Sequence, residues 1–278
     1  MKFGIALGRM HPSMFVEAVE AADSLGYESV WLPEHLVLPA EMAGSPFAGS
    51  EHPPVPPSTP VFDALAYLSF LAGRTSRIRL GTHVYNLALR HPFVAARAVQ
   101  TLDVVSGGRA ELGVGAGWLR SEWEAAGLDF ASRGERLDEA LGICTRLWSE
   151  ERVAHSGRHF EFGEVVFEPK PVQRPHPPVL IGGESSAALA RAARHDGWIG
   201  LDHSPESAAS MVGLLIDLRE RSGRSDAAFS VTIGASVTDE KEPQRFSEAG
   251  VDRLIVSPWA RTRDVPRGLE EFARRFVA

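Results

Sequence analysis

The sequence predicts an α/β protein that folds as a (β/α)8 TIM barrel, and three observations lead to this prediction. Strand and helix signals alternate along the chain, they form eight strand–helix units, and they occupy 278 residues. Closed barrels of this length commonly form one domain, and eight such units fit a closed barrel better than an open doubly wound sheet. We therefore expect a single domain over residues 1–278.

The predicted units follow one another in chain order. Ser13 is a suitable cap for the first helix and Gly26 ends it, while apolar runs bounded by turn residues mark the strands. The helix at 135–148 carries leucine, isoleucine and tryptophan on one face. The predicted strands are 3–7, 28–32, 78–84, 110–114, 179–181, 198–201, 229–234 and 253–256, and the predicted helices are 15–25, 61–72, 92–105, 135–148, 185–194, 205–222, 243–249 and 266–277.

Two segments interrupt this alternation. Residues 33–60 are rich in proline and lack strand or helix signals. Because loops this long are often functional, we predict a lid there. Residues 150–178 read as a small hairpin insertion before the fifth barrel strand, with short strands at 153–155, 159–162 and 165–167.

Composition and charge exclude several classes of partner. The formal charge of −7 comes with no basic stripe, so no nucleic-acid partner is expected. No apolar run approaches the ~18 residues that span a membrane, and no signal segment precedes the first strand. Cys144, the single cysteine, lies in an apolar helical pattern and is expected to be buried. We expect a cytoplasmic homodimer.

The segment from 103 to 118 is the most distinctive part of the chain, because Gly113, Gly115 and Gly117 alternate at the exit of the fourth strand. Missing side chains on one face would let a flat ligand approach the backbone, and a tightly packed turn explains the same pattern. The spacing and the bulky Trp118 fit a dinucleotide-binding fingerprint poorly.

Chemistry in such barrels lies at the carboxyl ends of the strands. His35 ends the second strand beside Glu34, which could orient it for proton transfer, although a hydrogen-bonded histidine without a catalytic role fits as well. At the fifth strand end, Gly182, Gly183 and Ser185 open a helix. That turn predicts a phosphate site, with an ordinary capped turn as the alternative.

Further strand-end side chains are candidate walls of a substrate pocket: His11, Tyr85, Trp118, His203 and Trp259. Glu122, on the turn that follows Trp118, could reach the pocket, but a place at the surface or in an interface is expected. His155 and His159 lie four residues apart but in a strand-like hairpin, where this spacing does not form a metal site, so no metal is predicted.

Several motifs, taken together and in order, resemble the bacterial luciferase-like superfamily, in particular its branch that uses the deazaflavin coenzyme F420. These motifs are 31–35, 80–82 with 90–92, 106–109 through 117–118, and 181–183. The resemblance implies acid/base roles for His35 and Glu34 and a non-proline cis peptide between His83 and Val84. It also implies cofactor contacts from His35, Thr82, His83, Val84, Gly115, Ala116, Gly117, Gly182, Gly183, Glu184 and Ser185.

The function implied is hydride transfer between F420 and a small organic substrate, by reduction of an electron-poor C=C bond or imine, or the reverse. One alternative is an FMN-dependent monooxygenase, and another is a catalytically idle flavin-binding barrel or partner subunit. Sugar-phosphate dehydrogenases of this branch carry a glutamate where this chain has Trp118, which argues against sugar-phosphate oxidation.

Overall fold

The computed structural model describes residues 1–47 and 52–277, and within them eight parallel strands close a barrel. The order around the barrel is β1-β10-β9-β8-β7-β4-β3-β2, which confirms the predicted fold class. The barrel strands are β1 Lys2–Ala6, β2 Ser29–Leu32, β3 Arg79–Thr82, β4 Ala110–Val114, β7 Val179–Gly182, β8 Gly197–Asp202, β9 Ser230–Gly234 and β10 Arg253–Val256.

Helices separate these strands and cover the barrel. They are α1 Phe15–Leu25, α2 Ala64–Ala72, α3 Pro92–Ser106, α4 Arg120–Ala125, α5 Arg133–Ser149, α6 Ser186–Ala192, α7 Pro205–Arg221, α8 Glu242–Glu248 and α9 Val265–Phe276. Gly26 and Gly107 end α1 and α3 in the left-handed conformation that glycine adopts without strain. Cys144 is buried on α5, as predicted.

Several local predictions differ from the structure. Helix α2 begins at Ala64 rather than at 61, because the Asp63 carboxylate caps it by accepting the Ala66 N–H at 2.9 Å. Ser13 lies inside a 3₁₀ turn, Pro12–Met14, that precedes α1. The short helix α4 was not predicted.

The insertion is a two-stranded antiparallel hairpin of β5 Arg152–Ser156 and β6 Glu161–Val166. The second and third predicted strands of the insertion are therefore one strand, β6. Glu139 on α5 holds the hairpin by accepting the backbone N–H groups of His159 at 3.0 Å and Phe160 at 2.9 Å, and it bonds to His155 Nε2 at 2.9 Å. His155 therefore serves to dock the hairpin.

The barrel interior is filled from its N-terminal end. Arg253 pairs there with Glu28 at 2.6 Å and with Glu111 at 2.7 Å. Above them Trp31 occupies the centre, where its ring fills the space beside Gly81. A ligand therefore meets this barrel at the carboxyl ends of the strands.

The long segment after β2 carries no helix or strand in its described part, residues 33–47 and 52–63. Residues 48–51 of the predicted lid lie outside the described residues. Within the described ranges, no helix is long and apolar enough to cross a membrane.

Candidate active site

His35 follows β2 at the barrel mouth and has one polar atom available to a ligand. Its Nδ1 bonds to Glu122 Oε2 at 3.0 Å, and the Trp118 ring stands nearly perpendicular to the imidazole, with 5.8 Å between ring centroids. Nε2 forms no hydrogen bond within the described residues and is not sealed from solvent. The side chain is 17% exposed, so Nε2 is placed to exchange a proton with a bound molecule.

The carboxylate beside His35 is Glu122, not Glu34. Glu122, on α4, is fully buried, which corrects its expected place at the surface. Its Oε1 accepts the backbone N–H groups of Leu36 at 2.6 Å and Val37 at 3.4 Å. One carboxylate thus holds both the His35 ring and the first residues of the long loop.

Both carboxylate oxygens of Glu34 bond to residues other than His35, so the structure gives no support to its predicted acid/base role. Its side chain is buried, Oε1 pairs with Arg90 Nη2 at 2.6 Å, and Oε2 accepts the Asn86 N–H at 2.9 Å. Arg90 in turn stacks on the Tyr85 ring, 4.4 Å from its centroid. This is a structural ion pair that ties the end of β2 to the segment after β3.

The glycines in and after β4 leave room for neighbouring protein atoms. A Cβ at Gly113 would collide with the Thr82 carbonyl oxygen. One at Gly115 would stand 2.7 Å from Val84 Cγ2, and one at Gly117 would stand 2.8 Å from Trp123 Nε1. These contacts explain the glycines as a tightly packed turn, the alternative that the sequence also offers, and the predicted cofactor contacts of Gly115 and Gly117 remain a prediction.

Val84 lies at the top of the filled barrel interior and is half-buried. The peptide bond between His83 and Val84 is cis, as the resemblance implied. The two Val84 methyl groups stand over Gly115 and Gly182, where added Cβ atoms would come within 2.7 and 2.6 Å of them. Val84 thus forms an apolar floor at the centre of the mouth.

His83 precedes Val84 across the cis peptide bond. Burial lowers the pKa of its imidazole to about 4, although nearby Asp202 favours the charged form. Asp202, at the end of β8, also pairs with Arg9, which follows β1. This ion pair joins two strand ends that are not adjacent in the barrel.

A second histidine–carboxylate pair joins the turn after β7 to the residue after β8. Glu184 Oε1 and His203 Nε2 lie 2.8 Å apart, and this hydrogen bond lowers the pKa of the Glu184 carboxyl below its ordinary value. Ser185 caps α6 by accepting the Ala188 N–H at 3.2 Å. The turn is therefore a capped helix start that already holds a negative charge, and its predicted phosphate site remains a prediction.

Other predicted residues divide between the mouth and the core. Thr82 is fully buried and donates to the Gly113 carbonyl at 2.7 Å, and Tyr85 is buried beneath Arg90, so neither faces a ligand. Trp259 is partly exposed and donates to the Arg9 carbonyl at 2.9 Å. His11 is exposed and caps the turn before α1.

Sequence reasoning allowed Glu122 to reach the pocket but did not connect it with His35, and it missed the roles of Arg90, Arg9 and Asp202. The two acidic residues have no local signal, because their partners lie 87 and 193 positions away. Within residues 1–47 and 52–277, no cluster of three His, Cys, Asp or Glu side chains is arranged to hold a metal ion.

Comparison with known proteins agrees with this architecture. The family model described as luciferase-like monooxygenase matches residues 2–263. The F420-dependent glucose-6-phosphate dehydrogenase of Kineococcus radiotolerans is 30% identical over 246 residues, covering 85% of this chain and 67% of that protein.

Two solved structures share the fold. The coenzyme F420 dependent tetrahydromethanopterin reductase from Methanopyrus kandleri has a TM-score of 0.79 at 17% identity, over 99% of this chain and 97% of that one. The second structure is the oxygenating constituent of 3,6-diketocamphane monooxygenase from the CAM plasmid of Pseudomonas putida, solved in complex with FMN. It has a TM-score of 0.65 at 16% identity and covers 84% of this chain and 66% of its own. The barrel, its strand-end site and the match over nearly the whole chain lead to one conclusion: the chain belongs to the luciferase-like monooxygenase family of oxidoreductases.

Proposed function

We propose that this protein is an F420-dependent oxidoreductase that transfers a hydride between the deazaflavin and a small organic substrate. The observation that carries the proposal is the accessible Nε2 of His35 at the barrel mouth, beside an apolar floor. The 30% identity to an F420-dependent dehydrogenase supports the choice of cofactor.

The residues at the mouth fit a flat heterocycle. Val84 would lie beneath the ring, His83 and Trp118 beside it, and the partly exposed Ala116 and Gly117 at its edge. When bound, F420 supplies two-electron hydride chemistry, while the protein supplies orientation and proton transfer. The phosphate could be held by backbone N–H groups of residues 182–185, with Glu184 kept away from it by its bond to His203.

Two side chains define the proposed chemistry of the protein. His35 accepts or donates the proton at Nε2, which suits an imidazole near neutral pH. His83, with its pKa near 4, is neutral at working pH and adds no charge beside the ring. The arrangement fits reduction of an electron-poor C=C bond or an imine, or the reverse reaction.

Trp118 argues against sugar-phosphate oxidation. Its ring stands nearly perpendicular to the His35 imidazole, and Trp118 occupies the position where the resemblance puts a glutamate in sugar-phosphate dehydrogenases. We expect no oxidation of glucose 6-phosphate by this protein, and its appearance in an assay with F420 would contradict the proposed substrate class.

Fluorescence titration of the purified protein with F420 and with FMN tests the cofactor. F420 binding without FMN binding supports the proposal, and tight FMN binding without F420 binding favours the monooxygenase alternative. Oxidation of F420H2 is then screened against enones, imines and nitro compounds. His35→Ala should remove the activity found, whereas an idle barrel would show no activity to remove.

We also propose a homodimer. Helices α2 and α3 pack against each other and expose Phe70, Val94 and Val105, each more than half accessible. Such side chains on one helical layer favour a partner surface. Sedimentation analysis should show a dimer, and Phe70→Glu should shift it toward monomer; a monomeric wild-type protein would overturn this proposal.

A further inference from the structure

The Glu122 carboxylate is saturated by donors from one small region of the chain. It accepts from the backbone N–H groups of Leu36 and Val37 through Oε1, while Oε2 faces His35 Nδ1 at 3.0 Å. The side chain is fully buried. With the carboxylate as the acceptor of all three bonds, His35 Nδ1–H supplies the proton of the hydrogen bond that they share.

This hydrogen bond determines which nitrogen of the neutral imidazole carries the proton. With Nδ1–H donated to Glu122, Nε2 presents its lone pair to the barrel mouth. The Trp118 ring covers one side of the imidazole, and the bonds to Leu36 and Val37 fix the carboxylate itself. Both the tautomer and the direction of the ring are thus set by contacts within the protein, without any ligand.

We propose that Glu122 is the positioning residue of the site: it holds His35 in the Nδ1–H tautomer, so that Nε2 acts as a proton acceptor toward the bound substrate. In the oxidative direction the substrate X–H proton passes to Nε2 while a hydride leaves the same substrate for the cofactor. In the reductive direction the imidazolium returns that proton from Nε2. This inference rests on the proposed function for its catalytic meaning, but the tautomer exists without any ligand.

Glu122→Gln tests the proposal because the amide has a forced orientation. The N–H groups of Leu36 and Val37 hold the amide oxygen, so the NH₂ group faces Nδ1 and can only donate to it. The His35 proton should then move to Nε2 and remove the lone pair from the mouth. Glu124→Gln is the matched control, since Glu124 lies on the same helix and its side chain is 61% exposed.

The tautomer is read from the side-chain ¹⁵N signals of the ligand-free protein, labelled at histidine, above pH 8. His35→Gln identifies the signals of residue 35. We expect Nδ1–H in the wild type and in Glu124→Gln, and Nε2–H in Glu122→Gln. A wild-type proton on Nε2 overturns the proposal without need of any variant, and so does an unchanged tautomer in Glu122→Gln.

Turnover gives the second measurement. We expect Glu122→Gln to lower kcat on the order of 10²-fold, as for loss of general acid–base catalysis, while the Kd for F420 stays unchanged. Equal kcat values for Glu122→Gln and Glu124→Gln would overturn the positioning role of Glu122. The expected tautomers together with failure of F420 and FMN to bind would instead refute the proposed function and leave the structural assignment of Glu122 standing.

Discussion

Replacing Gly115 by alanine should weaken the fold at the barrel mouth, because the new methyl group meets Val84. The added Cβ would stand 2.7 Å from Val84 Cγ2, whereas non-bonded carbon atoms normally lie about 3.5–4.0 Å apart. Gly115 has no positive φ, so alanine brings a steric cost without backbone strain. Overpacking of this kind lowers the free energy of unfolding by about 1–3 kcal/mol.

Val84→Ala should relieve this cost. Once Cγ2 is gone, the nearest remaining Val84 atom is Cβ, 3.7 Å from the new methyl group, which is an ordinary contact. Urea unfolding of the wild type, both single variants and the double variant gives the coupling energy. We expect Gly115→Ala to cost less in the Val84→Ala background by about 1 kcal/mol or more.

Gly113→Ala is the control for this cycle. Its Cβ would meet the backbone carbonyl of Thr82, which Val84→Ala cannot move, so its cost should be the same in both backgrounds. If Gly115→Ala also had equal costs in both backgrounds, the explanation of the glycine by Val84 packing would be refuted.

Three further predictions concern other contacts. Arg90→Met leaves the buried Glu34 carboxylate without its counter-ion and should lower the free energy of unfolding by about 3–5 kcal/mol; a loss below about 1 kcal/mol in urea titration would contradict the structural role given to this pair. Burial alone would raise the pKa of Glu111, but the positive charges of Arg253 and Arg79 outweigh burial and hold this pKa below its ordinary value of 4.5. The stability that Glu111 contributes is therefore present above pH 4.5 and lost as pH falls through the folded-state pKa. In Glu111→Gln, the urea unfolding midpoint should fall less over this pH range than in the wild type. The long loop contains no lysine or arginine, so its accessibility is tested with a glutamate-specific protease: early cleavage at Glu41 and protection by F420 are expected of a lid, and first cleavage elsewhere without protection by the cofactor would exclude one.

The fold could be predicted from the sequence because its signals are local. Each barrel strand is a short apolar run between turn residues, and the helix ends at Gly26 and Gly107 follow from the conformational freedom of glycine. The errors also have local causes. Asp63 competes as a cap and shortens α2, and α4, at six residues, is too short for a clear hydrophobic period.

The site was harder to predict because its contacts join distant parts of the chain. Glu34 is adjacent to His35 in sequence, yet neighbouring residues at a strand end point in different directions. The carboxylate that reaches the imidazole comes from α4, 87 positions later. Strand alternation and glycine spacing contain no information about that packing.

The glycine segment shows a second limit. A glycine needed for ligand approach and one needed for protein packing look the same in a sequence. Here Val84 and Trp123 occupy the spaces beside Gly115 and Gly117, and only the three-dimensional neighbours distinguish the two cases.

The attachment of the long loop at Glu122 has a consequence for protein engineering and for divergence within the family. Among the described residues of the loop, Glu122 holds 35–37 and none further along, so we expect that the segment from 38 to 62 can be exchanged as a cassette without moving the His35 imidazole. The segment after Val37 and the proposed proton-transfer residue are therefore separable pieces of chain. Loops grafted from relatives should be joined after Val37 and before Asp63, whose carboxylate caps the next helix.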